Sequence, residues 1–560
     1  MQTTQYTIDA AAARPQGAHE LTFGRSVVVA SMTGLMIFAK QIAFFLVEDN
    51  RYFFLWRRVD AVALAVDVLL TAAVLAGITV MVRRKGWERI ERLWNRAMVM
   101  MLTAGAISLL PPHRFLPPFS RLPYVLYAAA FTVCVVSLLS RRIPLMKVAG
   151  AACVILSPLA AILGWQLLSA PTWSTDRESA YVRQEPPGLP AAEGAEHATP
   201  VYLFVFDEWS FKRTTDNGVV LAAYPRTKEL SEHALAFQQA WSYSTRSYHS
   251  LPALIFQTDQ RIQIGPGVTY WKERGADVPT STVPSLLGLA HQHGYRTAMQ
   301  GFYLPYGRIL GEQADYVRSW PVFPRGDGML QTMGLTFARN LQWLVDPITL
   351  RARRRFEAKV QSEWWYELNK RMLAESLRLV DESPKKTFAV FHWPLPHGPF
   401  VINPDGSYHG QYPEGNIIEG LSHENVTLED YQRHLAYHDS VIGQLIDHLR
   451  ASGKFDDALV IMTSDHSWRP DPIEPIANWT IDPSRRRVPL YIKLPHQQQG
   501  QLISKTVYNN LSLRPIIETV LRNGQLTDAQ IRTLIDGLEQ LPTPTGKNSV
   551  RPGSKDSDLP

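Results

Sequence analysis

Cysteine is nearly absent from this chain of 560 residues, which contains only Cys134 and Cys153. Both lie inside long apolar runs, so the polar remainder of the chain can form no disulfide bond. The polar part also lacks a thiolate nucleophile and the cysteine ligands of a structural zinc site. Any metal site there must therefore use carboxylate, imidazole and hydroxyl groups.

A strong charge of one sign is also missing, because 57 Lys and Arg residues and 51 Asp and Glu residues leave a formal net charge of +6. Much of the basic excess lies in short loops between apolar runs. That distribution is typical of the cytoplasmic loops of membrane proteins. We therefore expect no nucleic-acid partner.

Five apolar segments lie near residues 27–47, 61–82, 97–111, 122–140 and 147–168, after a polar stretch over 1–26. Most of them approach the ~20 residues that cross a hydrocarbon core. The second and fourth loops carry more Lys and Arg than the first and third. The positive-inside rule thus predicts a cytoplasmic N-terminus over 1–26, a five-helix transmembrane domain over 27–168, and an extracytoplasmic remainder.

The rest of the chain reads as one folded domain between two irregular stretches. Residues 169–199 are rich in proline and predict a linker, and residues 541–560 predict a disordered tail. Between them, over 200–540, strand-like runs alternate with helical patterns, which predicts an α/β domain with a mainly parallel central sheet. Thr427 and Asp430 are spaced as a capping box before a helix over Leu428–Leu449.

Two apolar strand-like runs of this domain stop abruptly in residues that bind metal ions. The first run ends in Asp207 and Glu208, and the second ends in Asp465 and His466. Parallel strands place their carboxyl ends at one edge of a sheet, so the four side chains are expected to converge there. The alternative is that Asp207 or Glu208 only caps the next helix, which requires one acid rather than two.

The order of motifs resembles the sulfatase-like branch of the alkaline phosphatase superfamily over roughly residues 200–520. The motifs are the strand ending in Asp207-Glu208, the hydroxyl-rich turn before Ser250-Leu251-Pro252, Pro396-His397-Gly398-Pro399, Thr463-Ser464-Asp465-His466, and Arg487-Val488-Pro489-Leu490. Apolar spans before such a domain further resemble the bacterial lipid A phosphoethanolamine transferases and, more distantly, the lipoteichoic acid synthases. The resemblance implies a bacterial inner-membrane protein whose catalytic domain lies on the periplasmic side.

This resemblance also implies a divalent metal ion, zinc or manganese, and a hydroxyl nucleophile. Glu208, Asp465 and His466 match the family's ligand positions, and Asp207 stands beside them. Counting three residues back from Ser250 gives Ser247 as the nucleophile and a further ligand. Thr245 is the competitor, because the turn is dense in hydroxyl groups. The alternative is that all these hydroxyl groups have a structural role, forming hydrogen bonds within the turn and at the helix N-terminus.

Further residues of the turn and of the Pro-His-Gly-Pro segment are expected to contact substrate. Arg246 could hold a phosphate oxygen with two hydrogen bonds, although it could equally be a solvated loop residue. His397 matches a family histidine that contacts the substrate phosphate or assists proton transfer. His392 is the alternative on the same strand.

Taken together, these features predict a metal-dependent phospho-group transferase or hydrolase, with a membrane phospholipid as donor and a glycan or lipid as acceptor. The sulfatase activation signature is missing, since His249 and Leu251 follow Ser247 where proline and arginine would stand. No glycine follows His466, and no disulfide is available. The missing signature argues against a formylglycine-dependent sulfatase, and the missing glycine and disulfide leave the transferred group open. The alternatives are a sulfate-ester hydrolase and a non-catalytic member of the fold.

Overall fold

The computed structural model of the chain describes residues 16–45, 57–108, 145–169, 182–183, 198–260, 262–264, 269–273, 276–322, 324, 326, 328–345, 350–410, 427–469, 486–524 and 526–538. Its helices are α1 (Gln16–Ile37), α2 (Ala39–Phe45), α3 (Arg58–Arg84), α4 (Glu88–Ser108), α5 (Leu145–Ser169), α6 (Phe211–Thr214), α7 (Pro225–Ser231), α8 (Ser247–Phe256), α9 (Leu286–Gln292), α10 (Tyr306–Leu310), α11 (Met329–Val345), α12 (Leu350–Glu382), α13 (Leu428–Ala451), α14 (Asn509–Asn523) and α15 (Asp528–Gly537).

The strands are β1 (Val182–Arg183), β2 (Val201–Asp207), β3 (Thr215–Asp216), β4 (Val219–Val220), β5 (Leu235–Trp241), β6 (Ile262–Ile264), β7 (Thr269–Glu273), β8 (Ala276–Pro279), β9 (Arg296–Phe302), β10 (Tyr316–Trp320), β11 (Thr387–Pro396), β12 (Leu459–Ser464), β13 (Arg487–Val488), β14 (Leu490–Lys493) and β15 (Gln501–Tyr508). Contacts divide the chain into two compact units. The helical unit comprises Met1–Val47, Arg58–Trp173 and Gly326–Leu350, and the remainder forms the sheet unit.

Two described helices of the helical unit are long and apolar enough to cross a membrane. They are Arg58–Arg84 and the segment Ala149–Ser169 of α5, which coincide with the second and fifth predicted spans. The first predicted span falls on α1 and α2, where the apolar stretch Gly24–Ile37 is shorter. The third falls largely on α4, which is not among the candidates, and the fourth lies outside the described residues. A five-helix membrane domain thus stays a prediction.

The sheet unit is built on one large sheet, as the alternating pattern predicts. Across the described residues its strands follow the order β1-β10-β9-β11-β2-β12-β14-β5-β13, with β15 paired to β5. The five central strands, β10, β9, β11, β2 and β12, are mutually parallel, and β14 continues antiparallel to β12. Strands β2, β11 and β12 are buried along their whole length, as continuous apolar runs require when helices cover both faces.

Helix α13 carries the chain to β12 and begins with the predicted capping box. The Thr427 hydroxyl accepts from the Asp430 backbone N–H, and the Asp430 carboxylate accepts from the Thr427 N–H. Its buried face includes Tyr431, Leu435 and Ile442, which matches the predicted apolar spacing. This helix therefore positions the start of β12 and, six residues on, the Asp465-His466 pair.

Two segments depart from the expected domain layout. Within the stretch predicted as a linker, Val182–Arg183 forms strand β1, which pairs antiparallel with β10. Within the stretch predicted as the catalytic domain, α11 belongs by its contacts to the helical unit. Neither departure follows from local sequence, because a two-residue strand carries no periodicity and an amphipathic helix does not specify its partner.

Replacing Thr427 with alanine should loosen the start of α13, since the cap satisfies a backbone N–H that has no partner within the helix. Loss of such a cap costs about 1 kcal/mol, so amide exchange in peptides covering residues 428–432 should accelerate on the order of fivefold. Ser440→Ala, in the middle of the same helix, is the matched control and should leave that exchange unchanged. Equal exchange in Thr427→Ala and wild type would show that the cap contributes nothing.

Candidate functional site

The carboxyl ends of β2 and β12 bring the two predicted acidic motifs together. The strands pair in parallel, with Ser464 opposite Phe206, so Asp207 and Asp465 leave the sheet side by side. Ser464 ties the two ends, because its hydroxyl donates to the Phe206 carbonyl at 2.7 Å and accepts from the Trp209 N–H at 2.9 Å. The site is therefore fixed by neighbouring strands rather than by a loose loop.

Asp465 is held by one carboxylate oxygen and presents the other to the site. Its Oδ1 accepts from the backbone N–H groups of His466 at 2.7 Å and Glu208 at 3.2 Å. Its Oδ2 lies 3.4 Å from His466 Nε2 and accepts no hydrogen bond from any described residue. The side chain is fully buried. A buried carboxylate oxygen in this position requires a cation or a proton.

His466 is oriented by a backbone carbonyl. Its Nδ1 lies 2.9 Å from the Ser467 carbonyl oxygen, which can only accept, so Nδ1 carries the proton. In the neutral ring, Nε2 then has a free lone pair. That lone pair faces Ser247 Oγ at 3.3 Å and Asp207 Oδ1 at 3.5 Å. This arrangement suits a metal ligand or a proton acceptor.

Ser247 is the hydroxyl of the turn that reaches the acidic motifs. It is the first residue of α8, after the N-cap residue Arg246, and is 5% exposed. Its Oγ lies 3.4 Å from Asp207 Oδ1 as well as close to His466. The helix N-terminus adds partial positive charge where an alkoxide would form. Thr245 lies two residues earlier, outside the helix and partly exposed.

Asp207 stands in an environment that disfavours its charge. Burial raises the pKa of this carboxyl well above its usual range, and the neighbouring Asp465 and Glu208 carboxylates raise it further. Arg469 and the Ser247 hydroxyl act in the opposite direction without offsetting those effects. Three carboxylates crowded at buried strand ends create a strongly negative site.

Glu208 points to a different partner from the other two carboxylates. It forms an ion pair with the Nε of Arg469, while its backbone adopts φ 66°, in the left-handed region. The Tyr431 hydroxyl holds that backbone by donating to the Glu208 carbonyl at 2.6 Å. For a residue other than glycine this conformation is strained, and such strain concentrates at functional sites. Glu208 thus lies beside Asp207 and Asp465 while its carboxylate pairs with Arg469.

His397 lies beside Arg469. Its Nδ1 donates to the Gly398 carbonyl at 2.6 Å, and its Nε2 accepts from Arg469 Nη2 at 2.9 Å. Burial lowers the pKa of His397, so its ring is neutral at pH 7. A third of the Arg469 side chain remains exposed. A guanidinium can bind an anionic ligand with two hydrogen bonds. The sequence did not point to Arg469, because no motif marks the position three residues after His466.

Arg246 contacts a neighbouring residue of the same turn. Its Nη1 donates to the Tyr248 hydroxyl at 2.7 Å. A contact with substrate phosphate stays a prediction for this residue.

His392 is a member of the site that the sequence offered only as an alternative to His397. One ligand atom each from Asp207, His392 and Asp465 lies within 4.8 Å of the others. The Tyr306 hydroxyl fixes the ring through Nδ1 at 2.6 Å, and Nε2 has no hydrogen-bond partner in the described parts of the chain. Burial lowers the pKa of His392 to about 4, so the ring is neutral and able to bind a cation.

Tyr303 also borders the nucleophile and was missed in the sequence. It follows β9 with φ 50° and forms a side-chain hydrogen bond with Ser247. Burial raises the pKa of Tyr303 well above its usual range, and the Asp207 charge adds to that effect. The phenol therefore stays protonated and can donate a hydrogen bond at the reacting oxygen. No sequence signal distinguishes this tyrosine from others that follow strands.

The donor set fits a divalent cation. Asp465 Oδ2 and His392 Nε2 are buried and lack hydrogen-bond partners among the residues described. Asp207, Asp465 and His466 supply oxygen and imidazole ligands of the kind that zinc and manganese accept. A bound dication would also relieve the repulsion that raises the Asp207 pKa. Without a cation, the same residues would have to bind a proton or bury uncompensated charge.

Comparisons with known proteins agree with this architecture. The family model described as Sulfatase matches residues 200–541. No curated protein matches the chain. Among solved structures, a phosphonate monoester hydrolase of Agrobacterium radiobacter is similar at 14% identity and a TM-score of 0.34, covering 59% of this chain and 78% of that one.

Two further solved structures show comparable similarity. The lipoteichoic acid synthase LtaP from Listeria monocytogenes has 15% identity and a TM-score of 0.35, covering 64% of this chain and 79% of that one. A putative sulfatase from Bacteroides thetaiotaomicron has 12% identity and a TM-score of 0.36, covering 62% and 76%. At these values the structures carry no functional assignment. The family match extends over more than half of the chain, and this protein therefore belongs to the sulfatase family.

Proposed function

We propose that this protein is a membrane-anchored, metal-dependent enzyme that acts outside the cytoplasm on phosphodiesters of lipid head groups. It transfers the phospho-group to a glycan or lipid of the cell envelope, or to water. One observation carries the proposal: Ser247 Oγ lies within 3.4 Å of Asp207 Oδ1 and 3.3 Å of His466 Nε2, at the N-terminus of α8. A hydroxyl so placed is a nucleophile with proton acceptors in reach.

A phosphodiester substrate explains why a site lined by carboxylates would also need a bound cation. The diester is anionic and repels both an alkoxide and the carboxylates of Asp207 and Asp465. Zinc or manganese, held by Asp207, Asp465 and His466 with His392 and Glu208 nearby, would supply positive charge and lower the pKa of the nucleophile. Members of this superfamily hydrolyse or transfer sulfate and phosphate esters.

The chain's own residues can carry the remaining steps. As Ser247 Oγ forms a bond to phosphorus and the bond from phosphorus to the lipid alcohol breaks, the Ser247 proton passes to Asp207, whose Oδ1 lies 3.4 Å from Oγ. His466 would not accept it, because its Nε2 lone pair would be used by the metal ion. The alcohol leaves with a proton. An acceptor hydroxyl or water then attacks the Ser247 ester, and the serine hydroxyl is regenerated. Tyr303 forms a hydrogen bond with the Ser247 side chain, and its protonated phenol can donate to Oγ once the serine proton has left.

Positive and neutral donors around the site suit the substrate's charge. The side chain of Arg469 is partly exposed, and the pKa of its guanidinium is raised by the Glu208, Asp207 and Asp465 carboxylates against the effect of burial. It can bind a non-bridging phosphate oxygen while still contacting His397. Arg246 is the second candidate for that contact.

Membrane anchoring supports a lipid donor. Two apolar helices, Arg58–Arg84 and Ala149–Ser169, are long enough to hold the chain in a bilayer. An enzyme held at the membrane surface meets a lipid donor and a surface acceptor at high effective concentration. An enzyme for soluble phosphate esters gains nothing from such helices.

Sulfate-ester hydrolysis is the second candidate, and the description of the matching family favours it. Against it stand His249 and Leu251, which replace the proline and arginine of the sulfatase activation signature after Ser247. A direct comparison of turnover separates the two. Faster hydrolysis of an aryl sulfate than of a phosphodiester would establish the sulfatase, and the reverse would establish the phospho-group enzyme.

Ser247→Ala should abolish the covalent intermediate, whereas Thr245→Ala should retain it. Intact mass spectrometry of purified protein incubated with membrane phospholipids measures the adduct, whose mass identifies the head group. Removal of a nucleophile typically lowers the rate by several orders of magnitude, so turnover should fall at least about a thousandfold in Ser247→Ala.

Thr245→Ala is the matched control, since it removes a hydroxyl two residues away from the same turn. An adduct that persists in Ser247→Ala and disappears in Thr245→Ala would move the nucleophile to Thr245. Wild-type protein with neither bound metal nor adduct would refute the enzyme assignment and leave a non-catalytic member of the family.

Arg469→Gln should change metal and substrate binding in opposite directions. Removing one positive charge beside Glu208, Asp207 and Asp465 should tighten zinc binding, and the same change should raise KM for an anionic phosphodiester. A charge at this distance in a partly buried site is worth on the order of tenfold in each constant. Competitive metal titration and steady-state kinetics measure the two effects.

Arg522→Gln is the charge-matched control, because Arg522 is exposed and pairs with Glu518 in α14. It should alter neither constant. Weaker zinc binding in Arg469→Gln would instead show that the arginine holds Glu208 in place for the metal. An unchanged KM would show that the proposed contact with the substrate phosphate is wrong.

A further inference from the structure

Helix α11 lies between two strands of the sheet unit in sequence, yet it packs in the helical unit. It contacts α3 along its length and also touches α4 and α2. Phe337 of α11 meets Phe38, between α1 and α2, with ring centroids 6.2 Å apart. The sequence between β10 and β11 thus contributes one helix, α11, to the apolar helix bundle.

The polarity of α11 is the reverse of that of a helix on a water-soluble protein. Its buried face carries Thr332, Thr336 and Asn340, each at most 5% exposed. Its outward face carries Leu330 at 83%, Phe337 at 45% and Leu341 at 50% exposure, together with one exposed polar residue, Gln331. In water the apolar stripe would face inward and the polar side chains outward.

Water around α11 would make both faces unfavourable. Asn340 Oδ1 is buried and has no hydrogen-bond partner in the part of the chain that is described. Burying such a polar atom without a hydrogen bond is unfavourable. Exposing three large apolar side chains to water is also unfavourable. In hydrocarbon the same pattern is favourable, because polar side chains are accommodated between helices and apolar ones face the acyl chains.

The outward apolar face continues on neighbouring helices of the same unit. On α3, Leu69 and Val74 are more than half exposed, while Asp67 and Thr79 are buried. On α5, Ile155 and Trp165 are about three-quarters exposed. An apolar solvent explains both the exposed apolar side chains of all three helices and the buried polar side chains of α11 and α3.

We infer that α11 is embedded in the lipid bilayer and that Leu330, Phe337 and Leu341 contact lipid acyl chains. The inference rests on the membrane anchoring of the proposed function and extends it to a segment of the sulfatase domain itself. The inverted burial of α11 favours lipid as the occupant of its outward face over a partner protein. A partner protein that covers the same face is an outcome that the test below distinguishes.

In sequence, α11 is an insertion between two strands of one sheet. The chain leaves the sheet at Trp320, the end of β10, and returns to it at Thr387, the start of β11.

Site-directed spin labelling of the full-length protein tests the inference. Both native cysteines are first replaced, as Cys134→Ala and Cys153→Ala. Single labels are then attached at Phe337→Cys, Leu341→Cys or the inward-facing Thr336→Cys, and the protein is reconstituted in phosphatidylethanolamine and phosphatidylglycerol vesicles. Collision with oxygen, which concentrates in lipid, is compared with collision with a water-soluble nickel complex.

Labels at residues 337 and 341 should collide with oxygen and lose collisions with nickel, while a label at 336 should be protected from both. Val219→Cys, which is exposed in the sheet unit, should show the opposite preference. Nickel access at 337 and 341 equal to that at 219 would overturn the inference, and protection from both reagents would instead reveal a covering protein.

A label at Ile155→Cys on α5 tests the proposed membrane anchoring independently of the embedding of α11. Oxygen access at 155 together with nickel access at 337 would leave the membrane anchor intact and refute the embedding of α11. Nickel access at both positions would refute the membrane anchor as well.

Discussion

Repulsion among buried carboxylates is the constraint on which the site depends. Parallel pairing of β2 and β12 forces Asp207 and Asp465 to emerge beside each other, and both are buried. The pKa of Asp207 is raised because burial and the neighbouring negative charges disfavour its ionised form. A fold that retains such a pair needs a positive partner, and the imidazoles of His466 and His392 complete a ligand set for one.

The nucleophile and the anion-binding groups are arranged around that negative centre. Ser247 approaches it from the start of α8, where the helix dipole opposes the local negative charge. Arg469 approaches from the other side, paired with Glu208 and in contact with His397. The site therefore offers a hydroxyl, proton acceptors and a guanidinium within one region, which is the set that transfer of an anionic ester group requires.

Sequence patterns predicted the features that are local. The apolar runs that end in Asp207 and Asp465, the capping box at Thr427 and the mainly parallel sheet could all be read from spacing and composition. His392 could not be singled out as a site residue, because only the pairing of β11 with β2 and the contact with Tyr306 bring it to the carboxylates. Tyr303 and Arg469 likewise depend on tertiary contacts. The orientation of α11 could not be predicted from the sequence for another reason. Hydrophobic periodicity shows that a helix has two unlike faces, but it does not show which face packs against the protein interior.

The most direct test of the account is anomalous diffraction from crystals of the full-length protein grown with manganese or zinc. The account predicts an anomalous peak about 2.0–2.3 Å from carboxylate oxygens of Asp207 and Asp465 and from an imidazole nitrogen. The peak's position relative to His392 and His466 would then show which imidazole binds. The absence of a peak among these residues at saturating metal, or a peak at some other place in the chain, would contradict the claim that the buried carboxylates form a cation site.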